Sequence, residues 1–232
     1  DSAINGLQVE GKHIVNTIAL GVSASLKLFQ ESKKLSSDAI IVHHGLLRKG
    51  YQNLPVSGIF KTRLQFLLKN NISLLAYHLP LDSHKTFGNN IQIARQLGLK
   101  RISFFASHGG KKIGVIGVLP KAISFPAIKQ KTIKIFGQLN YGISFQTGRI
   151  KKIAVVSGGA AKDFLEAVSL GADLFITGEL GESAQEIARE TKTAFIACGH
   201  YATEQLGLKE IAKILKKKFK IKTFFVDVPN TA

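Results

Sequence analysis

The chain has 232 residues, 45% of them hydrophobic, with a formal net charge of +17 and a single cysteine, Cys198. That length supports one large domain or two small intertwined ones, and one cysteine excludes an intramolecular disulfide and a cysteine-rich zinc site and suits a reducing cytoplasm. No apolar run reaches the length of a membrane span, the opening residues do not read as a signal peptide, and a chain that opens on Asp1 with no methionine is expected to lack residues of the natural one.

In chain order, "GLQVEGKHIVNTIALGV" (6–22) predicts a hairpin turning at Glu10-Gly11-Lys12. A helix is expected from Ser23 to Leu35, with Ser23 as its N-cap. "AIIVHHGLL" (39–47) begins as a buried strand and runs into His43-His44-Gly45. Neighbouring strand side chains point to opposite faces. The adjacent histidines are therefore expected to serve one site where the strand has stopped and Gly45 lets the chain turn. Residues 56–71 have helical periodicity and stop on Asn70-Asn71; 72–82 read as a strand stopped by Pro80; 89–99 read as a helix ended by Gly98. The middle, 100–150, holds two strand-like stretches, "KIGVIGVLP" and "LNYGISFQTG", around a short helical or irregular piece. After Lys152 the strands "IAVVSGG", "DLFITGE", "TAFIACGH" and "KTFFVD" alternate with helices. In the lysine-dense helix of 208–222, Ile211, Ile214 and Leu215 recur at helical spacing, which assigns most lysines to a solvated face. The positive charge also suits nucleotides, nucleic acid or anionic surfaces.

This alternation predicts an α/β fold with largely parallel strands, in which ligands bind beyond the carboxyl ends of the strands. Those ends deliver His43 and His44, His78 and Asp82, Ser157-Gly158-Gly159, Gly178-Glu179, and Gly199-His200 followed by Glu204. His200 and Glu204 are four apart and share one face if a helix begins near His200. Taken singly, each motif reads equally well as a polar strand edge, a turn or a helix-surface pair. Taken together, three histidines and two carboxylates form a ligand set for zinc, iron, manganese, cobalt or nickel. With Asp82 and Glu204 as bridges they suit a two-metal centre with open positions. His78 is expected to orient a ligand, contact substrate or handle protons, and Glu179 to act as an acid/base or hydrogen-bonding partner. His84 is expected to face the opening, and His13 and His108 to sit exposed in turns. "VVSGGA" (155–160) is read as an anion-holding junction or a tight turn; it is neither a P-loop nor a dinucleotide fingerprint. No serine-nucleophile elbow is present, and Cys198 reads as a small buried residue.

"NGLQVEG" (5–11), "VHHGLL" (42–47), "YHLPLD" with "GNN" (77–90), "VVSGGA", "DLFITGE" (173–179) and "GHYATE" (199–204) together resemble the Nif-three-like family, also called the GTP cyclohydrolase I type 2 homologue family. The resemblance runs from residue 5 to "VDVPNTA" (226–232). It implies one domain of two intertwined α/β subdomains, 1–99 and 151–232 joined by 100–150, in the short bacterial form without a PII-like insert. It implies two divalent metal ions held by His43, His44, Asp82, His200 and Glu204, and a homohexameric toroid. The family name implies metal-dependent hydrolysis of a nucleotide or related heterocycle. "HHGLLRKG" (43–50) departs from the family in lacking an aromatic after the histidine pair. Two other functions remain open at this level: a metal-handling protein, and a nucleic-acid-associated protein without turnover.

Overall fold

The computed structural model describes residues 1–50 and 55–231; Ala232, the last residue of the C-terminal motif, lies outside them. In chain order the elements are β1 (Gly6–Val9), β2 (Thr17–Ser23), α1 (Leu26–Lys34), β3 (Ala39–His44), α2 (Gly58–Lys69), β4 (Ser73–Ala76), α3 (Leu79–Asp82) and α4 (Asn89–Leu97). Then come β5 (Lys100–His108), β6 (Lys111–Ile123), α5 (Phe125–Phe136), β7 (Tyr141–Ile143), β8 (Ile150–Val155) and α6 (Phe164–Ser169). The last are β9 (Leu174–Thr177), α7 (Ala184–Thr191), β10 (Ala194–Ala197), α8 (His200–Thr203), α9 (Gln205–Phe219) and β11 (Lys222–Phe225). They fall into two compact units, the first made of 1–81 and 207–229, the second of 82–206 and the residues from 230 onward. The chain thus leaves the first unit and returns to it.

The first unit is built on a five-stranded sheet of order β1-β4-β3-β2-β11. β4, β3, β2 and β11 run parallel, and β1 is antiparallel to β4. The central strands are buried on both faces: Ala19, Ile40, Val42 and Leu74 pack in one cluster with Leu28, Phe29 and Leu67 from the helices, while Leu20 and Ile41, also buried, point to the opposite face. This is why they read as unbroken apolar runs. The expected hairpin of 6–22 does not form, because β1 pairs with β4 and not with β2. Gly11 is there for close approach: a Cβ on it would lie 2.5 Å from the backbone nitrogen of Ser73. Its amide donates to Ser73 Oγ at 2.9 Å, and Asp38 then fixes the start of β2 by accepting from the amides of Asn16 and Thr17. The N-cap of α1 is Ser25, whose Oγ accepts from Leu28 N, and not Ser23, which remains in β2 paired with His44. Residues 72–82 are not one strand; β4 ends at Ala76, and Pro80 sits inside the single turn of α3.

The second unit carries a six-stranded sheet of order β5-β6-β8-β9-β10-β7. Only β8, β9 and β10 are parallel; β5, β6 and β7 pair antiparallel. This sheet is mixed where a largely parallel one was expected. Residues 100–150, expected to join two halves, supply three of its strands and α5. β5 was not foreseen, since it is an edge strand whose Lys100 and Arg101 hide its alternation. The core of this unit gathers Val155, Leu174, Ile176 and Ile196, all fully buried. His108 is not exposed in a turn: it is the last residue of β5, and its Nε2 lies 2.9 Å from Asp163 Oδ2. Among the described residues no helix is long and apolar enough to cross a membrane.

Candidate metal centre

In the first unit, β3 carries both His43 and His44 as its last residues. The strand does not stop before the pair: His44 is still in register with Ser23 of β2, and its carbonyl accepts from Ala24 N at 2.8 Å. Gly45 is not left-handed. It is needed for space, because a Cβ there would come within 2.6 Å of Ala76 Cβ and of the Gln8 amide oxygen. That oxygen accepts from the amides of Leu46 and Leu47, so Gln8 of the "NGLQVEG" stretch turns the chain after the histidines.

The two imidazoles nevertheless meet, with ring centroids 4.8 Å apart. His78 joins them, its centroid 5.0 Å from His43 and 5.5 Å from His44. One ring nitrogen of each lies within 4.8 Å of one from each of the others. Each Nδ1 has a partner within this unit. In buried His43 it lies 2.8 Å from the Tyr77 carbonyl, in His44 3.0 Å from Ser23 Oγ, and in His78 2.9 Å from Asp1 Oδ1. A carbonyl only accepts, so Nδ1 of His43 carries a proton and donates to it, which leaves Nε2 as the nitrogen able to bind an ion.

In the second unit, Asp82 ends α3 and is buried. Its Oδ1 accepts from Asn89 Nδ2 at 2.9 Å and from Ser157 Oγ at 3.3 Å. Asn90 accepts from Ser157 N at 2.7 Å and donates to Ile113 O. Of the two fully buried asparagines of "GNN", Asn89 supports Asp82 directly and Asn90 fixes the backbone of Ser157, roles that the sequence motif alone did not disclose. His84, expected at an opening, accepts through Nδ1 from Thr86 N and Phe87 N and so closes its own loop.

His200 opens α8, and the expected i, i+4 pairing forms: its Nε2 lies 3.1 Å from Oε1 of Glu204, which is buried. Glu179 takes the other side of the ring, Oε1 to Nδ1 at 2.5 Å. The glycines of "VVSGGA" serve this group. Gly158, at φ +70°, faces it so closely that a Cβ would collide with Glu204 Oε1 and lie 3.2 Å from His200 Nε2. A Cβ on Gly159 would lie 2.9 Å from Glu179 Oε2. Burial by itself would lower the His200 pKa, but hydrogen bonds and charge from Glu204, and then from Glu179, outweigh it and raise the pKa to about 9. Burial pushes the Cys198 thiol up to about 12, so it supplies no thiolate near neutral pH.

Each unit by itself offers side chains of the kind that hold a divalent ion. Imidazoles held through Nδ1 present Nε2, buried carboxylates call for a cation or strong donors, and Gly158 leaves clear space against the carboxylate and ring nitrogen of one such pair. The first unit offers His43, His44 and His78; the second offers Asp82, His200 and Glu204, with Glu179 behind His200. Asp1, Asn89 and Asn90 carry no role in the sequence reading, which takes Ser23 as an N-cap and Ser157 as part of the glycine junction. The one sequence signal of the first three was membership of, or nearness to, the quoted motifs.

The model of a family described as Duf34/NIF3 (NGG1p interacting factor 3) matches residues 1–231. The chain is 43% identical over 231 residues to "GTP cyclohydrolase 1 type 2 homolog" of Pyrococcus horikoshii, covering 99% of this chain and 91% of that protein. It is 39% identical over 233 residues to the protein of the same name from Pseudomonas aeruginosa, covering 100% and 91%. Among solved structures, protein ybgI, described as of unknown function, aligns with a TM-score of 0.92 at 35% identity, covering 100% of this chain and 92% of that one. TTHA1606 from Thermus thermophilus aligns with a TM-score of 0.87 at 33% identity, covering 100% and 91%.

Proposed function

The chain belongs to the Duf34/NIF3 family, and we propose that it is a dinuclear divalent-metal protein that hydrolyses a nucleotide or a related anionic heterocycle. In this reading His43, His44, Asp82, His200 and Glu204 would hold the ions. The observation that carries it is the shared attitude of the histidines: each has its Nδ1 on a partner, in one case the carboxylate of Glu179. Such support fixes ring orientation and raises ligand basicity. Bound there, two divalent ions supply Lewis acidity and a water of lowered pKa. Glu179 holds the His200 ring, and His78 and Glu179 are the proton-handling groups. Relatives named as GTP cyclohydrolase homologues support a nucleotide-like substrate, and the +17 charge favours an anionic one. A cytoplasmic homohexamer completes the reading.

The test is elemental analysis of protein never exposed to chelator, beside His43→Ala and Glu204→Ala, followed by a nucleotide and cyclic-amide panel with the metal restored. About two ions per chain, lost in both variants, together with turnover of one panel member, is the expected result. Metal retained by both variants, or silence across the panel, would sink the hydrolase reading.

A second reading has its own observation. Lys216, Lys217, Lys218, Lys220 and Lys222 are all exposed, residues 211–226 contain no carboxylate, and Phe219 and Phe224 lie exposed among them. Such a surface suits a single-stranded nucleic acid.

A further inference from the structure

We infer that His78 is a third imidazole ligand beside His43 and His44, and that Asp1 is the residue that holds it in position to bind. The inference rests on the metal-binding reading above and changes it at one point: His78 becomes a ligand in place of a proton-handling group, Asp1 is its positioning residue, and proton handling falls to Glu179.

The geometry lies wholly within the first unit. Asp1 has its carboxylate acceptor capacity filled by four neighbouring groups. Oδ1 accepts from Ala3 N at 3.0 Å and lies 2.9 Å from His78 Nδ1; Oδ2 accepts from Asn5 Nδ2 at 3.0 Å and from Leu79 N at 3.2 Å. Four groups from four residues leave the carboxylate little freedom. The backbone of His78 is fixed as well. Its amide donates to Asn5 Oδ1 at 2.8 Å, and its carbonyl accepts from Leu81 N at 2.8 Å, closing the turn of α3. Asp1 and Asn5 thus grip both the ring and the main chain of His78.

A carboxylate on Nδ1 places the proton there and makes Nε2 the more basic, ligating nitrogen. His43 and His44 are prepared in the same way by Tyr77 O and Ser23 Oγ. The bland alternative is a surface ion pair, and the surroundings argue against it. The His78 side chain is 27% exposed and Asp1 15%, and the ring lies against two other imidazoles. Three neutral nitrogen donors select a d-block divalent ion such as cobalt, nickel, copper or zinc over magnesium or calcium.

The experiment is a Co(II) titration of metal-stripped full-length protein, read by its visible d–d bands and by the hyperfine-shifted imidazole N–H proton resonances. Wild type is compared with His78→Gln, Asp1→Asn, Asp1→Ala and His43→Ala, each checked for a native melting transition. His78→Gln should lose one shifted N–H resonance and alter the d–d bands. Asp1→Ala should keep the stoichiometry but bind Co(II) roughly 10–100-fold more weakly, the usual effect of losing a carboxylate behind a ligating histidine, with Asp1→Asn in between. A purely structural role for Asp1 would move the melting transition and leave the spectrum of the loaded protein alone. Wild-type spectra and affinity in both His78→Gln and Asp1→Asn would overturn the inference while the metal reading stands. No Co(II) uptake by wild type, or an unchanged spectrum in His43→Ala, would overturn both.

Discussion

Glu204 Oε1 lies 3.1 Å from His200 Nε2, one helical turn along the chain, while Glu179 holds the opposite nitrogen of the same ring. The imidazole is gripped between two carboxylates, and without an ion it keeps its proton to about pH 9. The folded pKa lies above the ordinary value near 6.5. The resulting stabilisation is therefore fully present below pH 6.5 and is lost as pH rises through about 9. The melting temperature of metal-stripped protein should fall across that window, and Glu204→Gln should flatten the fall. Calorimetry at pH 6, 7.5 and 9 on both proteins checks this; parallel curves would refute the assignment. Because an ion must displace the same proton, metal affinity should rise with pH over the same range.

Gly158→Ala should abolish stoichiometric metal binding, because the new methyl would occupy the space against Glu204 and His200. Its left-handed backbone adds a conformational cost of about 1 kcal/mol or more. Gly171→Ala is the matched control, with φ +73° and only the end of the Lys152 side chain nearby. Both variants should lose stability in urea, but only Gly158→Ala should lose its metal. Equal metal content in the two would show that the glycine serves the backbone alone.

Asn89 and Asn90 are adjacent, fully buried and expected to fail differently. Asn89→Ala removes a donor to Asp82 and should weaken metal binding roughly 10–100-fold. Asn90→Ala strands the amide of Ser157 and the carbonyl of Ile113, so it should cost about 1–3 kcal/mol of stability. Paired metal titrations and urea melts on the two variants separate the effects. The reverse pattern would mean that Asn90 is the residue that orients the carboxylate.

The lysine surface gives a prediction independent of the metal. Replacing Lys216, Lys217 and Lys218 together by Glu should weaken binding of a single-stranded oligonucleotide. It should also reduce the slope of log K against log salt by about 2 or more, since each neutralised phosphate contributes about 0.7 on single strands. Fluorescence anisotropy from 50 to 300 mM salt measures both. An unchanged slope would identify these lysines as a solvated helix face and nothing further.

What the sequence determined by itself was local. The parallel strands announced themselves because burial on both faces demands unbroken apolar runs, as in Ile40-Ile41-Val42 and Phe195-Ile196-Ala197. The His200–Glu204 pair was legible because helical rise alone brings residues four apart together. Gly98 ending α4 in a left-handed turn was legible for the same kind of reason. Tertiary structure decided everything that depends on which strands are neighbours. Pairing energy does not depend on chain order, so β1 lies beside β4 and not beside β2, and β5 and β6 build sheet where a connector was expected. The same holds for the orientation of the histidines. His78 meets Asp1 across 77 residues, His43 meets Tyr77 O across 34, and His200 meets Glu179 across 21. The residue types that bind a metal could be read from the chain. Which nitrogen each ring presents is set by hydrogen bonds between distant segments, and those exist only once the sheets have formed.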